Sequence, residues 1–165
     1  MPLSVATTAD ISEVSRQLGR PARGIVAIAA RCVCGNPVVV QTSPRLEDGT
    51  PFPTTYYLTH PAATAAVSTL EATGLMAKLQ SNLAEDAELS AKYLLAHESY
   101  LRDRAKLGDV AELTGISAGG MPDRVKCLHA LVAHSLAAGP GVNPIGDAAL
   151  QLCTWSPDRC ACVVN

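Results

Sequence analysis

The sequence predicts an α+β fold in which five to six helices cover a small, mainly antiparallel three-stranded sheet. Three short segments rich in β-branched residues, Thr or Tyr come first, and Ala- and Leu-rich segments fill the C-terminal two-thirds. Strands that precede the helices, instead of alternating with them, disfavour a doubly wound parallel sheet. A length of 165 residues is typical of one domain. We therefore expect a single domain over 1–165, with a loose arm at 1–8 and an irregular tail at 154–165.

The N-terminal third contains one predicted helix and the three predicted strands. The helix spans Asp10–Leu18, because Ile11, Val14 and Leu18 recur at helical spacing and Gly19 follows them. The strands are predicted at 24–32, 37–41 and 54–59. An apolar, β-branched composition indicates the first two strands, and a Thr- and Tyr-rich composition indicates the third.

Helical segments account for most of the remaining chain. Helices are predicted at 62–73, 75–83, 87–107 and 143–153, with a further helical turn at 109–114. The longest of them places Leu89, Tyr93, Ala96 and Tyr100 on one buried stripe, and its charged residues form a solvated face. The order of the strands in the sheet does not follow from the sequence.

A glycine-rich loop and the helix after it, at 115–138, carry more reactive side chains than any other stretch. Met-Pro-Asp at 121–123 indicates a helix start, because Pro suits the first helical position and Asp complements the helix dipole. Unpaired N–H groups at a helix start bind anions. The predicted anion-binding residues are Gly119, Gly120, Asp123, Arg124 and Lys126. The alternative is an ordinary helix cap with two solvated cations.

The same helix carries the candidate catalytic residues Cys127, His129 and His134. In a helix that starts near 122, Cys127 and His134 share a face but lie two turns, on the order of 10 Å, apart. His129 then points to nearly the opposite side, so Cys127 and His129 are not expected to meet. In the catalytic interpretation, Cys127 is the nucleophile and a histidine is the acid or base. In the alternative interpretation, all three are packing residues.

Four of the six cysteines form two CxC pairs, Cys32 with Cys34 and Cys160 with Cys162. A composite metal site is predicted from Cys34, His60 and Cys127, with zinc as the metal. A turn, a strand end and the central helix would each supply one soft or borderline ligand. The alternative is free thiols in a reducing compartment. Cys160 and Cys162 are expected to be dispensable, because they lie in the irregular tail.

The charge balance and the first residues exclude several classes of protein. A formal net charge of −2 disfavours a general nucleic-acid or membrane-surface binder. No segment approaches the length of an apolar membrane span. The first ten residues lack the basic and apolar regions of a signal peptide. We therefore expect a cytoplasmic protein whose cysteines are reduced.

Four stretches carry a resemblance to a known family. They are RCVCGNP at 31–37, PRLEDGTPFPTTYYLTHP at 44–61, GISAGGMPDRVKCLHALVAH at 115–134 and NPIGD at 143–147. In this order they resemble the bacterial domain of unknown function 501 (DUF501) family. The resemblance implies no established activity.

Two functions from different classes remain open. The first is an enzyme or a binding protein for a small anionic ligand, such as a phosphorylated compound, at the loop and helix of 115–134. The second is a non-catalytic adaptor for a protein partner, in which the Cys and His residues are structural or hold zinc. The sequence decides neither whether the protein is an enzyme nor its oligomeric state.

Overall fold

The computed structural model describes residues 3–160 and residue 162. Within that part of the chain, six α-helices pack on an antiparallel sheet, which confirms the predicted α+β class, with four strands rather than three. The strands are β1 (Ser4–Val5), β2 (Ile25–Arg31), β3 (Pro37–Thr42) and β4 (Tyr56–Leu58), paired in chain order. The helices are α1 (Thr8–Leu18), α2 (Pro61–Glu71), α3 (Leu75–Glu85), α4 (Ala87–Ala105), α5 (Leu128–Ala138) and α6 (Pro144–Leu152).

The extra strand, β1, lies in the segment expected to be a loose arm. Ser4 pairs with Ile28 on the edge of β2. Two residues are too few to show the alternating pattern by which a strand is recognised in sequence. The helix after it starts at Thr8 because Thr7 and Asp10 form a reciprocal capping box.

The sheet has a core on each face. On one face, Val14 of α1 packs with Ile28 and Val40 in a small cluster. The opposite face belongs to the main core, which includes Val39 and Leu131. All six residues of β3 are buried, because helices cover both sides of the sheet at this strand.

α5 lies at the centre of the main core, against β4 and α6. Its sequence is apolar on nearly every side, which is typical of a helix buried on several sides. α6 approaches it closely at Gly146, where a Cβ atom would overlap the carbonyl oxygen of Leu131 and the hydroxyl of Ser135. Among the described residues, no helix is long and apolar enough to cross a membrane.

The central helix begins at Leu128, about six residues later than the sequence suggested. Cys127 is its N-cap, with an extended backbone (φ −147°, ψ 105°). Before it, the chain forms a turn in which the carbonyl of Gly119 accepts the N–H groups of Lys126 and Cys127 at 2.8 and 3.3 Å. The turn is therefore closed by its own backbone.

Side chains from two other helices hold this turn in place. Gln80 donates to the carbonyl of Asp123 at 3.0 Å and accepts the N–H of Val125 at 2.9 Å. The hydroxyl of Tyr93 donates to the carbonyl of Arg124 at 2.8 Å. Backbone groups that a helix would pair internally are thus satisfied by α3 and α4, so the helical conformation is not needed here.

A candidate metal centre and a second cysteine–histidine cluster

Four side chains that are soft or borderline metal ligands converge beside the β2–β3 turn. The ligand atoms of Cys32, His60, Cys160 and Cys162 all lie within 4.8 Å of one another. His60 Nε2 lies 3.2 Å from Cys160 Sγ and 3.3 Å from Cys162 Sγ. Cys162 Sγ lies 3.6 Å from Cys32 Sγ and 3.5 Å from Cys160 Sγ. We call these four residues the Cys₃His cluster.

Three separate segments supply the cluster, and local structure positions each of them. Cys32 directly follows β2, and a turn through Gly35 (φ +83°) returns the chain to β3, with the N–H of Gly35 donating to the Cys32 carbonyl at 2.8 Å. His60 follows β4 and is the N-cap of α2. The C-terminal segment is fastened to the same turn, because the N–H of Val33 donates to the carbonyl of Pro157 at 2.8 Å.

The spacing of the donors suits tetrahedral coordination. Zinc bonds of about 2.3 Å to sulfur and about 2.0 Å to nitrogen place tetrahedral ligands about 3.8 Å (S–S) and about 3.5 Å (S–N) apart. The observed distances of 3.5–3.6 Å and 3.2–3.3 Å are a few tenths of an ångström shorter. They are far longer than the roughly 2.05 Å of a disulfide bond. The three thiols are therefore separate groups at the spacing of ligands around one ion.

Burial makes the cluster unfavourable for negative charge unless a cation is present. Cys32, His60 and Cys160 are 5–7% exposed, and Cys162 is half-buried. Burial raises the pKa of Cys160 to about 12, and the neighbouring thiols add to the effect. The indole N–H of Trp155 acts in the opposite direction and lowers the pKa of Cys160. This N–H group is buried and has no other hydrogen-bond partner among the described residues. A bound divalent cation would instead favour the deprotonated thiolates, since a coordinated thiol is deprotonated.

The proton on His60 must move for this residue to ligate a metal. In the structure, Nδ1 accepts the N–H of Ala62 at 3.2 Å, so the ring proton is on Nε2, which faces the sulfurs. Coordination by Nε2 needs the proton on Nδ1 instead and gives up this helix cap. Loss of a cap costs about 0.5–2 kcal/mol, whereas a structural zinc contributes about 10 kcal/mol or more. The free energy of zinc binding would therefore exceed the cost of losing the cap.

The composite site predicted from Cys34, His60 and Cys127 is corrected by this arrangement. His60 belongs to the Cys₃His cluster, whereas Cys127 lies in a second cluster described below. The exposed thiol of Cys34 donates to the carbonyl of Cys160 at 3.3 Å and is not among the four converging donors. The expectation that Cys160 and Cys162 are dispensable stays a prediction, although the position of both residues in the cluster argues against it.

The second cluster consists of Glu71, Cys127 and His129, whose ligand atoms also lie within 4.8 Å of one another. Glu71, the last residue of α2, accepts the N–H of Leu128 at 2.8 Å and contacts Nδ1 of His129 at 3.1 Å. His129 Nε2 lies 3.2 Å from the Thr64 carbonyl. Cys127 and His129 thus meet, contrary to the prediction. As an extended N-cap, Cys127 does not follow the helical rotation of 100° per residue on which that prediction rested.

The pKa values in this cluster move towards a charged pair. The hydrogen bond to Cys127, followed by the charge of Glu71, raises the pKa of His129 to about 9. The neighbouring His129 lowers the pKa of Cys127, against burial and the charge of Glu71. Both shifts are towards the ionised forms of the two side chains, a thiolate and an imidazolium.

The predicted anion-binding residues Gly119, Gly120, Asp123, Arg124 and Lys126 lie in the turn before α5, not at a helix start. A Cβ at Gly119 would lie 2.6 Å from the Leu131 side chain, and one at Gly120 would lie 2.7 Å from the Arg124 carbonyl oxygen. The two glycines thus allow internal packing rather than the approach of a ligand. Asp123, Arg124 and Lys126 are exposed. The structure does not assemble these five residues around the N-terminus of α5.

His134 is a core residue in this structure. It is fully buried, with its ring stacked on Tyr56 (centroids 5.9 Å apart) and edge-on to Tyr100 (5.1 Å). Its Nδ1 lies 3.1 Å from the side-chain amide of Asn143, and Nε2 has no partner among the described residues. Burial lowers its pKa to about 4. The structure thus places His134 away from solvent instead of in a catalytic site.

A cavity of about 520 Å³ lies beside the sheet, apart from both clusters. Its lining includes the apolar side chains of Leu46, Phe52 and Tyr57 together with Arg20 and Arg23, of which Arg23 is paired with Asp48. This volume falls within the range of small-molecule sites.

The fold and the Cys₃His cluster together define a small α+β protein with a closed candidate metal centre. A family model for proteins of unknown function, DUF501, matches residues 28–151 of the chain. The chain therefore belongs to the DUF501 family, which confirms the resemblance found in the sequence. Neither a curated protein nor a solved structure matches the chain. The matched range contains Cys32 and His60 but ends before Cys160 and Cys162.

Proposed function

We propose that this protein binds one zinc ion at the Cys₃His cluster, where the ion has a structural role. The observation that carries the proposal is the convergence of Cys32, His60, Cys160 and Cys162, with all ligand atoms within 4.8 Å. Three thiolates and one imidazole form a ligand set typical of structural zinc sites.

A structural role is favoured over a catalytic one by the number and burial of the ligands. A catalytic zinc site keeps one position for water or substrate, whereas a structural site has four protein ligands. Here the protein supplies all four, and three of them are at most 7% exposed. The ion would therefore be enclosed by protein and would not bind a substrate.

The ion would join the two ends of the fold. Cys32 directly follows β2, His60 is the N-cap of α2, and Cys160 and Cys162 lie in the C-terminal segment. The direct backbone bond from Val33 to Pro157 already places that segment at the turn. Coordination would fix it there, so zinc binding and folding of the C-terminal segment are coupled.

Elemental analysis of the purified protein is the direct test, with one zinc per chain expected. Replacement by Co²⁺ provides a spectroscopic check, because tetrahedral cobalt with thiolate ligands has strong visible and near-ultraviolet bands. Cys160→Ser and His60→Ala should weaken zinc binding at least about tenfold, since even outer-shell partners contribute 10–100-fold. A matched control is Cys153→Ser, which changes a half-buried cysteine outside the cluster.

The same measurements contain the outcomes that count against the proposal. A protein that takes up no zinc at micromolar concentration would exclude it. Equal loss of zinc in Cys153→Ser and Cys160→Ser would show that the binding is not localised to the cluster. An octahedral cobalt spectrum without thiolate bands would also contradict it.

The cavity beside the sheet favours a second candidate function, the binding of a small amphipathic anion. An apolar lining with the guanidinium of Arg20 suits a ligand that has both an apolar body and an acidic group, whereas Arg23 is already paired with Asp48. Thermal-shift measurements with aromatic carboxylates and organic phosphates test it. Stabilisation that is lost in Arg20→Ala supports the function, and an equal response of both proteins argues against it.

A further inference from the structure

We propose that Cys127 is a nucleophilic thiolate that undergoes reversible exchange with small-molecule disulfides, held by His129 and Glu71. The site is separate from the Cys₃His cluster and does not depend on zinc. It rests on a cluster of three side chains at the first turn of a buried helix, with Cys127 itself half-buried and thus within reach of a small reagent.

The contacts of His129 accommodate a proton on each ring nitrogen. Nε2 lies 3.2 Å from the carbonyl oxygen of Thr64, which can only accept a hydrogen bond, and 3.1 Å from the hydroxyl of Ser68, which can accept or donate. Nδ1 lies 3.1 Å from a carboxylate oxygen of Glu71, which is an acceptor when ionised. Each nitrogen thus has an acceptor within hydrogen-bond distance, so the surroundings of the ring accommodate an imidazolium. Glu71 in turn is oriented by the N–H of Leu128, at 2.8 Å.

The imidazolium form of His129 argues against a metal site at Glu71, Cys127 and His129. A histidine ligand must present an unprotonated nitrogen to the ion. In the imidazolium form both nitrogens of His129 are protonated, so the ring has no lone pair for an ion shared with Cys127 and Glu71. The cluster therefore suits a stabilised sulfur anion better than a cation.

The start of α5 adds to the stabilisation of that anion. Cys127 is the N-cap residue of α5 and therefore lies at the positive end of the helix dipole. Low-pKa cysteines occur in such surroundings, at helix N-termini beside an imidazolium. The lowered pKa of Cys127 agrees with this geometry.

The geometry favours attack at sulfur over attack at a carbonyl group. Acyl transfer develops an oxyanion, which needs preorganised N–H donors near the nucleophile. In the first turn of α5, the N–H of Leu128 is already taken by Glu71. In thiol–disulfide exchange, the negative charge stays on sulfur throughout, so the reaction needs no N–H donors for an oxyanion.

The exchange is balanced without a further reactant. Cys127 Sγ attacks one sulfur of the disulfide and forms a new S–S bond. The original S–S bond breaks, and its electron pair leaves on the second sulfur, which takes a proton from solvent and departs as a thiol. Cys127 is oxidised to a mixed disulfide while the small disulfide is reduced. A free thiol reverses the reaction by the same route.

The test is incubation of the purified full-length protein with oxidised glutathione from pH 5 to pH 9, with peptide mapping of each cysteine over time. Cys153 is the control within the chain, because it is also half-buried but its pKa is raised by burial. At pH 7 we expect Cys127 to react roughly tenfold faster than Cys153, since the rate follows the thiolate fraction. In His129→Gln, the profile of Cys127 should move to higher pH, while that of Cys153 should not.

Each outcome decides for or against the proposal. Slow modification of Cys127, at the rate of Cys153 or below, would overturn it. An unchanged Cys127 profile in a folded His129→Gln variant would do the same. Protection of Cys127 by a second equivalent of Zn²⁺ would identify the cluster as a metal site. If His129→Gln does not fold, the wild-type comparison of Cys127 with Cys153 still decides the matter.

Discussion

His60 and Cys160 are 100 residues apart in the chain, yet His60 Nε2 lies 3.2 Å from Cys160 Sγ. This contact joins the start of α2 to the C-terminal segment. It also brings a CxC pair from each end of the chain to one place, because Cys32 Sγ lies 3.6 Å from Cys162 Sγ.

The C-terminal segment is expected to stabilise the protein through its two ligands. A chain that ends after Arg159 loses Cys160 and Cys162, and with them half of the donors of the Cys₃His cluster. We expect it to bind no zinc and to lose at least about 3 kcal/mol of unfolding free energy in the presence of zinc. Urea unfolding with and without excess zinc measures both effects. The matched control ends after Cys162 and should behave as the full chain does.

Buried His134 should make the protein less stable as the pH falls. Its pKa is lowered from 6.5 to about 4, mainly by burial, although Asp103 and Asp147 favour the charged form. The unfolded chain therefore takes up a proton at a higher pH than the folded chain does. The contribution of neutral His134 to the free energy of unfolding is fully present above about pH 7. It falls by up to about 3 kcal/mol on acidification to about pH 4.

Urea unfolding at intervals from pH 7.5 to pH 4 checks the contribution of His134. The variant His134→Gln removes the titrating group, so its stability should depend less steeply on pH than that of the wild type. Other histidines contribute equally to both proteins and cancel in the comparison. Parallel curves for the two proteins would show that His134 does not titrate as its burial implies.

Asp10 should stabilise the attachment of α1 to the sheet. Its carboxylate caps α1 with Thr7 and accepts hydrogen bonds from Arg31 of β2 at 2.7 and 2.9 Å. The bond with Arg31 holds the pKa of Asp10 well below its ordinary value of 3.8, so its contribution is complete above about pH 5 and is lost as the pH falls further. Asp10→Asn should cost about 1–2 kcal/mol at pH 7.

Chemical unfolding at pH 7 and at pH 3 measures the effect of Asp10→Asn, which should shrink at the lower pH. Glu13→Gln is the control, because Glu13 pairs on the same helix with the exposed Arg16 and should cost less than about 1 kcal/mol. Equal costs for the two variants would refute the assigned role of Asp10.

Gly146 should tolerate no larger residue, because α5 and α6 touch there. A Cβ would overlap the Leu131 carbonyl oxygen, which belongs to helix backbone and cannot turn aside. We expect Gly146→Ala to destabilise the protein by about 2–4 kcal/mol or to prevent folding. Gly49→Ala is the control, since its Cβ meets nothing within 4 Å and only its positive φ of 87° is strained, at about 1–2 kcal/mol. Thermal unfolding distinguishes the two variants.

Much of the fold follows from local patterns in the sequence. Helical spacing of apolar residues, Pro and Gly signals and β-branched runs locate α1–α4, α6 and β2–β4 to within a few residues. These patterns work because they reflect the side-chain periods of helix and strand, which are local properties. β1 escapes them because it is only two residues long and is stabilised by pairing with β2.

The candidate sites depend on contacts that local patterns do not contain. The sequence shows two CxC pairs and His60, and pairing the two CxC motifs would have indicated the Cys₃His cluster. That pairing is decided only when the sheet and α2 bring three distant segments together. Nothing in the sequence distinguished Glu71, because acidic residues at helix ends are common on protein surfaces.

The start of α5 shows most clearly what the sequence determined and what the tertiary structure decided. The sequence alone determines that Cys127 and His129 adjoin a buried, apolar helix. Whether they meet depends on where that helix begins. Gln80 and Tyr93, from two other helices, satisfy the backbone before Leu128 and delay the helix start. Because buried backbone groups need partners but accept them from any part of the chain, the tertiary contacts settle the geometry of this site.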